Sequence, residues 1–201
     1  MSVAEALAAR RTCRSFTSEP LADGLLDHLL DRARRAPTAG NCQGVEFLVL
    51  EGPDSVAEFW HTTLPSEKRS VFPWPGLLLA PALVVPFGLP MHYLARYSEE
   101  DKVATGLGEG MGAWPVPYWL TDAAFAAMAL QLLVIDEGLG CCFFGLFGNE
   151  IALRERFKVP ESARSPGVVA IGHPEGQTVR PSNSTSRDRR PLAGVVHRGG
   201  W

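Results

Sequence analysis

Clustered metal ligands are missing from this 201-residue chain. Its four cysteines stand at 13, 42, 141 and 142 without a C-x-x-C pair, and its five histidines lie singly at 28, 61, 92, 173 and 197. No spacing completes a tetrahedral site, so no metal is expected. An excess of one charge is missing too. Nineteen basic against 22 acidic side chains give a formal charge of -3, which argues against a dedicated nucleic-acid binder. Long apolar runs are short: Ala123 to Ile135 is interrupted only by Gln131, below the roughly 20 residues that span a bilayer. It reads as a buried core helix, with no membrane partner. The N-terminus reaches Arg10 and Arg11 before any apolar stretch, unlike a secretory signal, so a reducing cytoplasm is expected. P-loop, H-E-x-x-H and G-x-S-x-G strings are absent, which removes the usual kinase and hydrolase signatures. Gly108-Glu-Gly-Met-Gly-Ala113 meets a relaxed dinucleotide fingerprint, but Trp-Pro-Val-Pro follows where a helix should open, and a Rossmann site is excluded.

What remains is an ordinary globular composition, 46% hydrophobic and 20% charged, enough for one core without staples. A single domain over 1–201 is expected. Ser2 and Glu5 have the form of a capping box opening a helix that ends near the arginines. Leu25, Leu26, Leu29, Leu30 and Ala33 make a helical stripe stopped by Pro37. Val45 to Leu50 is a strand, followed by a turn and a helix N-cap in Glu51-Gly-Pro-Asp54. Ala82 to Val85 reads as a short buried strand between Pro81 and Pro86. Residues 88–118 show no sustained period and read as a long functional loop. Trp119 to Glu137 is the central helix, Cys141 to Phe147 a strand, Asn149 the cap of a helix to Phe157, and Gly167 to Ile171 a last strand. This order supports an α+β sandwich with a mixed or antiparallel sheet flanked by helices. The tail 177–201 is basic and serine-rich, with an apolar end at Leu192, Ala193, Val195 and Val196 that should dock on its own domain or a partner.

Three segments carry possible chemistry. Arg10, Arg11 and Arg14 sit at a helix C-terminus, where cations complement the macrodipole. With Thr12 between them, they also suit an anion, because guanidinium forks hold phosphate oxygens. Arg187, Arg189 and Arg190 could add a second wall. Pro37-Thr-Ala-Gly-Asn-Cys-Gln43 is a turn by composition, yet its amides could also satisfy a heterocycle while its small residues admit a flat ring. Gly138-Leu-Gly-Cys-Cys-Phe-Phe-Gly145 is a helix stop before a core strand, and its main-chain amides could face a ligand. Asn183-Ser-Thr185 has the form of a glycosylation string, read as chance without a secretory signal.

Taken in register, Arg10-Arg-Thr-Cys-Arg-Ser-Phe16, Ala36-Pro-Thr-Ala-Gly-Asn-Cys-Gln43, the helix from Asp122 to Gly140 and the segment Arg187-Asp-Arg-Arg-Pro-Leu192 with Val196-His197 resemble the FMN-dependent nitroreductase family. The resemblance covers most of the chain. It implies a homodimer with FMN at the subunit interface and a C-terminal arm, 177–201, exchanged onto the partner. It implies that Arg10, Arg11 and Thr12 hold the FMN phosphate, with Arg14 toward the ribityl chain and the N1/O2 edge of the ring. Pro37, Thr38, Asn41 and Gln43 would line one side of the flavin. The backbone of Cys142, Phe143, Phe144 and Gly145 would face N5 and O4, and Arg187, Arg189 or Arg190 would close the phosphate site. No catalytic side chain is required, since the cofactor carries the chemistry.

The chain departs from the family pattern at Gly44-Val45, where Pro-Trp is common, and has threonine for serine at 12 and 38. Segment 88–118 matches no family motif, and its Tyr93, Tyr97, Trp114, Tyr118 and Trp119 are expected to form a substrate lid. The implied activity is reduction of small planar electrophiles (nitroaromatics, quinones or enones) by NADH or NADPH in a ping-pong cycle. The alternatives are a flavin dehydrogenase or oxidase acting on a natural-product or amino-acid-derived substrate, and a non-catalytic FMN-binding module.

Overall fold

A computed structural model describes residues 1–176 and 187–201. The helices are α1 (Val3–Ala9), α2 (Leu25–Ala33), α3 (Pro53–Thr63), α4 (Ser66–Arg69), α5 (Pro90–Tyr97), α6 (Tyr118–Asp136) and α7 (Glu150–Phe157). The strands are β1 (Val45–Glu51), β2 (Ala82–Gly88), β3 (Gly140–Phe144) and β4 (Val168–Gly172). They form one antiparallel sheet in the order β1-β2-β4-β3. The expected α+β class and antiparallel sheet are both present.

Strand alternation divides the core between the two faces of this sheet. Ala82, Val84, Val169, Ile171 and Cys141 face α2 and α6, meeting Leu26, Leu29, Leu130 and Val134. Leu83, Val85, Phe87, Val168, Ala170 and Cys142 face the other way, meeting Val56, Phe59 and Trp60 of α3 and Leu153 of α7. Burial on both faces explains why β2 and β4 lack polar alternation. Helix α6 buries Ala123, Ala126, Ala127, Leu130 and Val134 at three- and four-residue intervals. By length and composition alone its 19 residues could cross a membrane, which corrects the shorter span read from the sequence. Its packing against the sheet and α2 makes it the core helix.

Several local signals act as expected. The Ser2 hydroxyl accepts the Glu5 amide at 3.2 Å, and the Glu5 carboxylate accepts the Ser2 amide at 2.7 Å. Others act differently. The N-cap of α3 is Gly52, not Asp54, with Pro53 at the first helical position, where a missing amide costs nothing. Asn149 precedes α7 without a side-chain cap. Pro86 lies inside β2, not beyond it. Its side of the strand is the one on which Gly88 bonds Arg164, and the β4 ladder has already ended at Val84, so no ladder partner goes unmet. Segment 88–118 is not an open loop. It holds α5 and the 3-10 turns Val103–Thr105, Leu107–Glu109 and Met111–Ala113.

Candidate functional site

The arginine segment is laced to the free edge of β3. Thr12 forms a parallel bridge with Cys141, and the Cys13 amide donates to the Cys141 carbonyl at 2.9 Å. Farther on, the Phe16 amide bonds Gly76, the Thr17 amide bonds His173, and the Glu175 amide bonds Ser15. Gly140 permits the approach, since a Cβ there would sit 3.0 Å from the Cys13 side chain. The result is a cleft of about 1330 Å³ lined by Arg10, Arg11, Thr12, Arg14, Arg187 and Arg189, with Ile135, Gly138, Leu139 and Gly140 along one wall. Among the described residues, no carboxylate forms an ion pair with any of these five arginines. A concave wall of unpaired guanidiniums attracts an anion, most strongly one with several oxygens.

The arginines are not equivalent. Arg11 donates to the Ala8 carbonyl at 2.6 Å and to its neighbour Arg10 at 2.9 Å, so it serves the end of α1. Arg14 stacks over Trp74, its guanidinium carbon 4.9 Å from the ring centroid, which fixes the side chain while leaving its donors free. Arg187 and Arg189 reach the cleft, whereas Arg190 turns back to donate to the Gly194 carbonyl.

The turn at 37–43 is built under strain. Gly40, Asn41 and Gln43 have φ of 62°, 53° and 51°, and a left-handed non-glycine residue costs about 1–3 kcal/mol. Compensating bonds surround it. The Asn41 amide bonds the Thr38 carbonyl at 2.8 Å, the Gln43 amide bonds Thr38 Oγ1 at 3.0 Å, and Arg96 Nε bonds the Gly40 carbonyl at 2.9 Å. Arg96 is itself held by a two-point pair with Asp101. Under the turn, the buried Asp122 carboxylate accepts the Ala39 amide and the Tyr93 hydroxyl, both at 2.8 Å. Burial first, and then this bond, push the Tyr93 hydroxyl pKa upward, so it stays a donor.

One chain does not bring the two segments together. Thr38 and Gln43 line a separate hollow with Arg34, Ala36, Val45 and Ala126. The turn precedes β1, and Thr12 pairs with β3, at the opposite edge of the sheet. They also stand at opposite ends of the strands, because Cys141 is level with Ile171, Ala82 and Glu51. Three strand spacings and the length of β1 put them roughly 25 Å apart. Helix α6 gives a similar measure: Asp122 sits under the turn and Ile135 lines the arginine cleft, about 20 Å away at 1.5 Å per residue.

In Cys142-Phe-Phe-Gly145 the side chains divide. Cys142 is buried, and Phe144 stacks on Trp60 with centroids 5.6 Å apart and planes at 14°. Phe143 is partly exposed. Among the described residues, strand β3 pairs only with β4 beyond its contact with Thr12 and Cys13, so what this segment can offer a ligand is main chain. Burial pushes the Cys141 and Cys142 thiols up to about 12 and about 11, with nearby Arg10 and Arg14 acting in the opposite direction.

The expected lid is revised most. Tyr93 is fully buried, and Trp114 and Trp119 retain only 8% and 7% of their surface. These three form a separate core of edge-to-face pairs, with Trp114 Nε1 donating to the Leu107 carbonyl at 2.8 Å. Tyr97 and Cys42 pack against that core, and Tyr118 is exposed. Hiding aromatic area in a glycine-rich segment is what gives it a fixed shape. Asp122 and Arg96 were missed in sequence. Asp122 is hidden within an apolar helix, where its polarity was the available signal.

The fold and cleft thus define an α+β protein with an arginine-lined cleft at a sheet edge. A sequence model of the Nitroreductase family matches residues 7–72. A Bacillus subtilis (strain 168) protein, YodC, that carries the name NAD(P)H nitroreductase is 26% identical over 193 residues, covering 91% of this chain and 93% of its own. A Thermus thermophilus NADH dehydrogenase is 24% identical, covering 82% and 83%. Among solved structures, Bacillus megaterium NfrA1 superposes with a TM-score of 0.75 at 19% identity, covering all of this chain and 75% of that one. A nitroreductase family protein from Clostridium novyi NT gives 0.65 at 23%, covering 94% and 89%. The chain is thus similar to nitroreductases in sequence over its first third and in fold over nearly its whole length.

Proposed function

We propose that the protein is an FMN-dependent oxidoreductase, a homodimer that takes reducing equivalents from NADH or NADPH and passes them to a small planar electrophile such as a nitroaromatic, quinone or enone. The observation that carries this reading is the convergence of Arg10, Thr12, Arg14, Arg187 and Arg189 on one cleft with no carboxylate partner among the described residues. That donor set fits a dianionic phosphate monoester: several cations at about 4 Å each contribute roughly 4 kcal/mol before desolvation at an effective dielectric of 20. FMN, when bound, supplies the hydride and electron chemistry.

The chain's own part is to bind, orient and exclude water. Arg10, Thr12, Arg187 and Arg189 hold the phosphate, and Arg14 lies toward the ribityl chain. The main chain of Cys142 to Gly145 offers donors to the ring edge. Pro37, Thr38, Asn41 and Gln43 line the ring from the second subunit, a division favoured by the roughly 25 Å that separates the two segments within one chain. Leu192, Val195 and Val196 stay exposed among the described residues, which suits an arm that crosses to the partner. The ten residues that lead into this arm, 177–186, lie outside the described residues. Tyr97 and Tyr118 remain as candidate substrate contacts. Two substrates using one site in turn would give ping-pong kinetics.

The test is the visible spectrum of protein loaded with FMN and dialysed, followed by anaerobic addition of NADH or NADPH. A retained flavin band near one per subunit, bleached by either donor, supports the proposal. Protein that retains no flavin overturns it, and retained flavin that neither donor bleaches favours the dehydrogenase or the non-catalytic alternative.

A further inference from the structure

We infer that Asp122, oriented by Tyr93, is a positioning residue for the flavin-lining turn, setting the backbone from which Thr38, Asn41 and Gln43 reach the ring. The inference rests on the functional reading above. It starts from a placement that stability alone does not explain. Asp122 is 2% exposed, and among the described residues no cation pairs with it. A buried carboxylate without a cation is unfavourable, and an apolar residue would suit this face of α6 better.

What the carboxylate does is hold two neutral donors on a single oxygen. The Ala39 amide and the Tyr93 hydroxyl each approach Oδ2 at 2.8 Å, one from the turn and one from α5. Ala39 immediately precedes the left-handed Gly40 and Asn41. A turn with three residues in that region keeps its shape only if its surroundings over-determine it. Another tie from outside, Arg96 Nε to the Gly40 carbonyl, comes from a half-buried side chain paired with the exposed Asp101. Asp122 is the buried tie. Tyr93 cannot swing away, since it is fully buried and packed edge-to-face on Trp114 and Trp119. Gly44 makes room for it: a Cβ there would lie 2.6 Å from the Tyr93 ring.

The experiment compares Asp122→Asn, Asp122→Ala and Tyr93→Phe with the parent and with Leu130→Ala, a core variant remote from the turn. Three readouts are taken on full-length FMN-loaded and apo protein: FMN dissociation constant, melting temperature, and amide exchange of the peptide spanning residues 36–44. Loss of a charge-assisted bond predicts FMN binding weakened about ten-fold or more in Asp122→Ala. Asp122→Asn, which keeps an acceptor, should recover part of that loss. Tyr93→Phe should fall between them, and all three should show faster exchange at 36–44 while α6 stays protected. Leu130→Ala should lower the melting temperature with FMN affinity within about two-fold. Folded Asp122 and Tyr93 variants that bind FMN like the parent, or affinity that follows melting temperature across all four variants, overturn the assignment. A parent that holds no FMN overturns the functional reading and this assignment with it.

Discussion

The Cys13 amide donates to the Cys141 carbonyl at 2.9 Å, and this bond carries the arginine segment along the edge of β3. Because main chain fixes the segment, the guanidiniums of Arg10 and Arg14 can be removed without unfolding it. Arg10→Ala and Arg14→Ala are each expected to weaken FMN about ten- to a hundred-fold, while riboflavin, which lacks the phosphate, changes less in Arg10→Ala. Fluorescence titration with both flavins at two salt concentrations checks this. Equal losses for the two flavins in Arg10→Ala would sink the phosphate assignment.

Arg11 should behave differently from its neighbours. Its bonds go to the Ala8 and Arg10 carbonyls at the end of α1. Arg11→Ala is expected to cost about 0.5–1 kcal/mol of stability and to affect FMN less than Arg10→Ala. Urea denaturation beside the flavin titration separates the two effects.

Glycine substitutions should sort by what surrounds them. A Cβ at Gly88 would overlap the Trp119 carbonyl at the start of α6, whereas one at Gly112 meets nothing within 4 Å. Gly88→Ala is expected to lose about 3 kcal/mol or more through overpacking against backbone, and Gly112→Ala to stay within about 0.5 kcal/mol. Thermal melts of the two variants decide it.

The cysteines give a pH dependence with a definite sign. Burial raises the Cys141 and Cys142 thiols to about 12 and about 11 from an ordinary 9.0. The native state therefore holds these protons after the unfolded chain has released them, and the unfolded chain binds fewer protons between those values. The stability this provides is complete below about pH 9 and is lost as pH rises through 11 to 12. Denaturation curves from pH 8 to 11 should show a steady fall, reduced in Cys141→Ala. At neutral pH both thiols should resist alkylation in the folded protein, which mass spectrometry reads directly.

Much of this was legible in the residues. The capping box, the stripe of α2, the centres of all four strands and the central helix follow from periodicity and from strong local punctuation by proline and glycine. The arginines were found because three cations within five residues are conspicuous. What escaped depends on contacts distant in sequence. Segment 88–118 has no period because its order comes from Tyr93, Trp114 and Trp119 packing on one another across 26 positions. Asp122 became meaningful only once Ala39, 83 residues away, was seen at its carboxylate. The strain at Asn41 and Gln43 is likewise invisible in composition, since glutamine is not a residue that advertises a left-handed turn.

The diagonal placement of the arginine segment and the 37–43 turn on the sheet has a genetic corollary. If each site draws one half from each subunit, lesions in the two halves complement. A chain altered at Arg10 mixed with a chain altered at Thr38 would assemble pairs in which one site carries both defects and the other carries none. Such mixtures should regain up to half the parent's flavin content per mixed pair, although neither chain alone retains it. A site confined to one chain would show no recovery in any proportion.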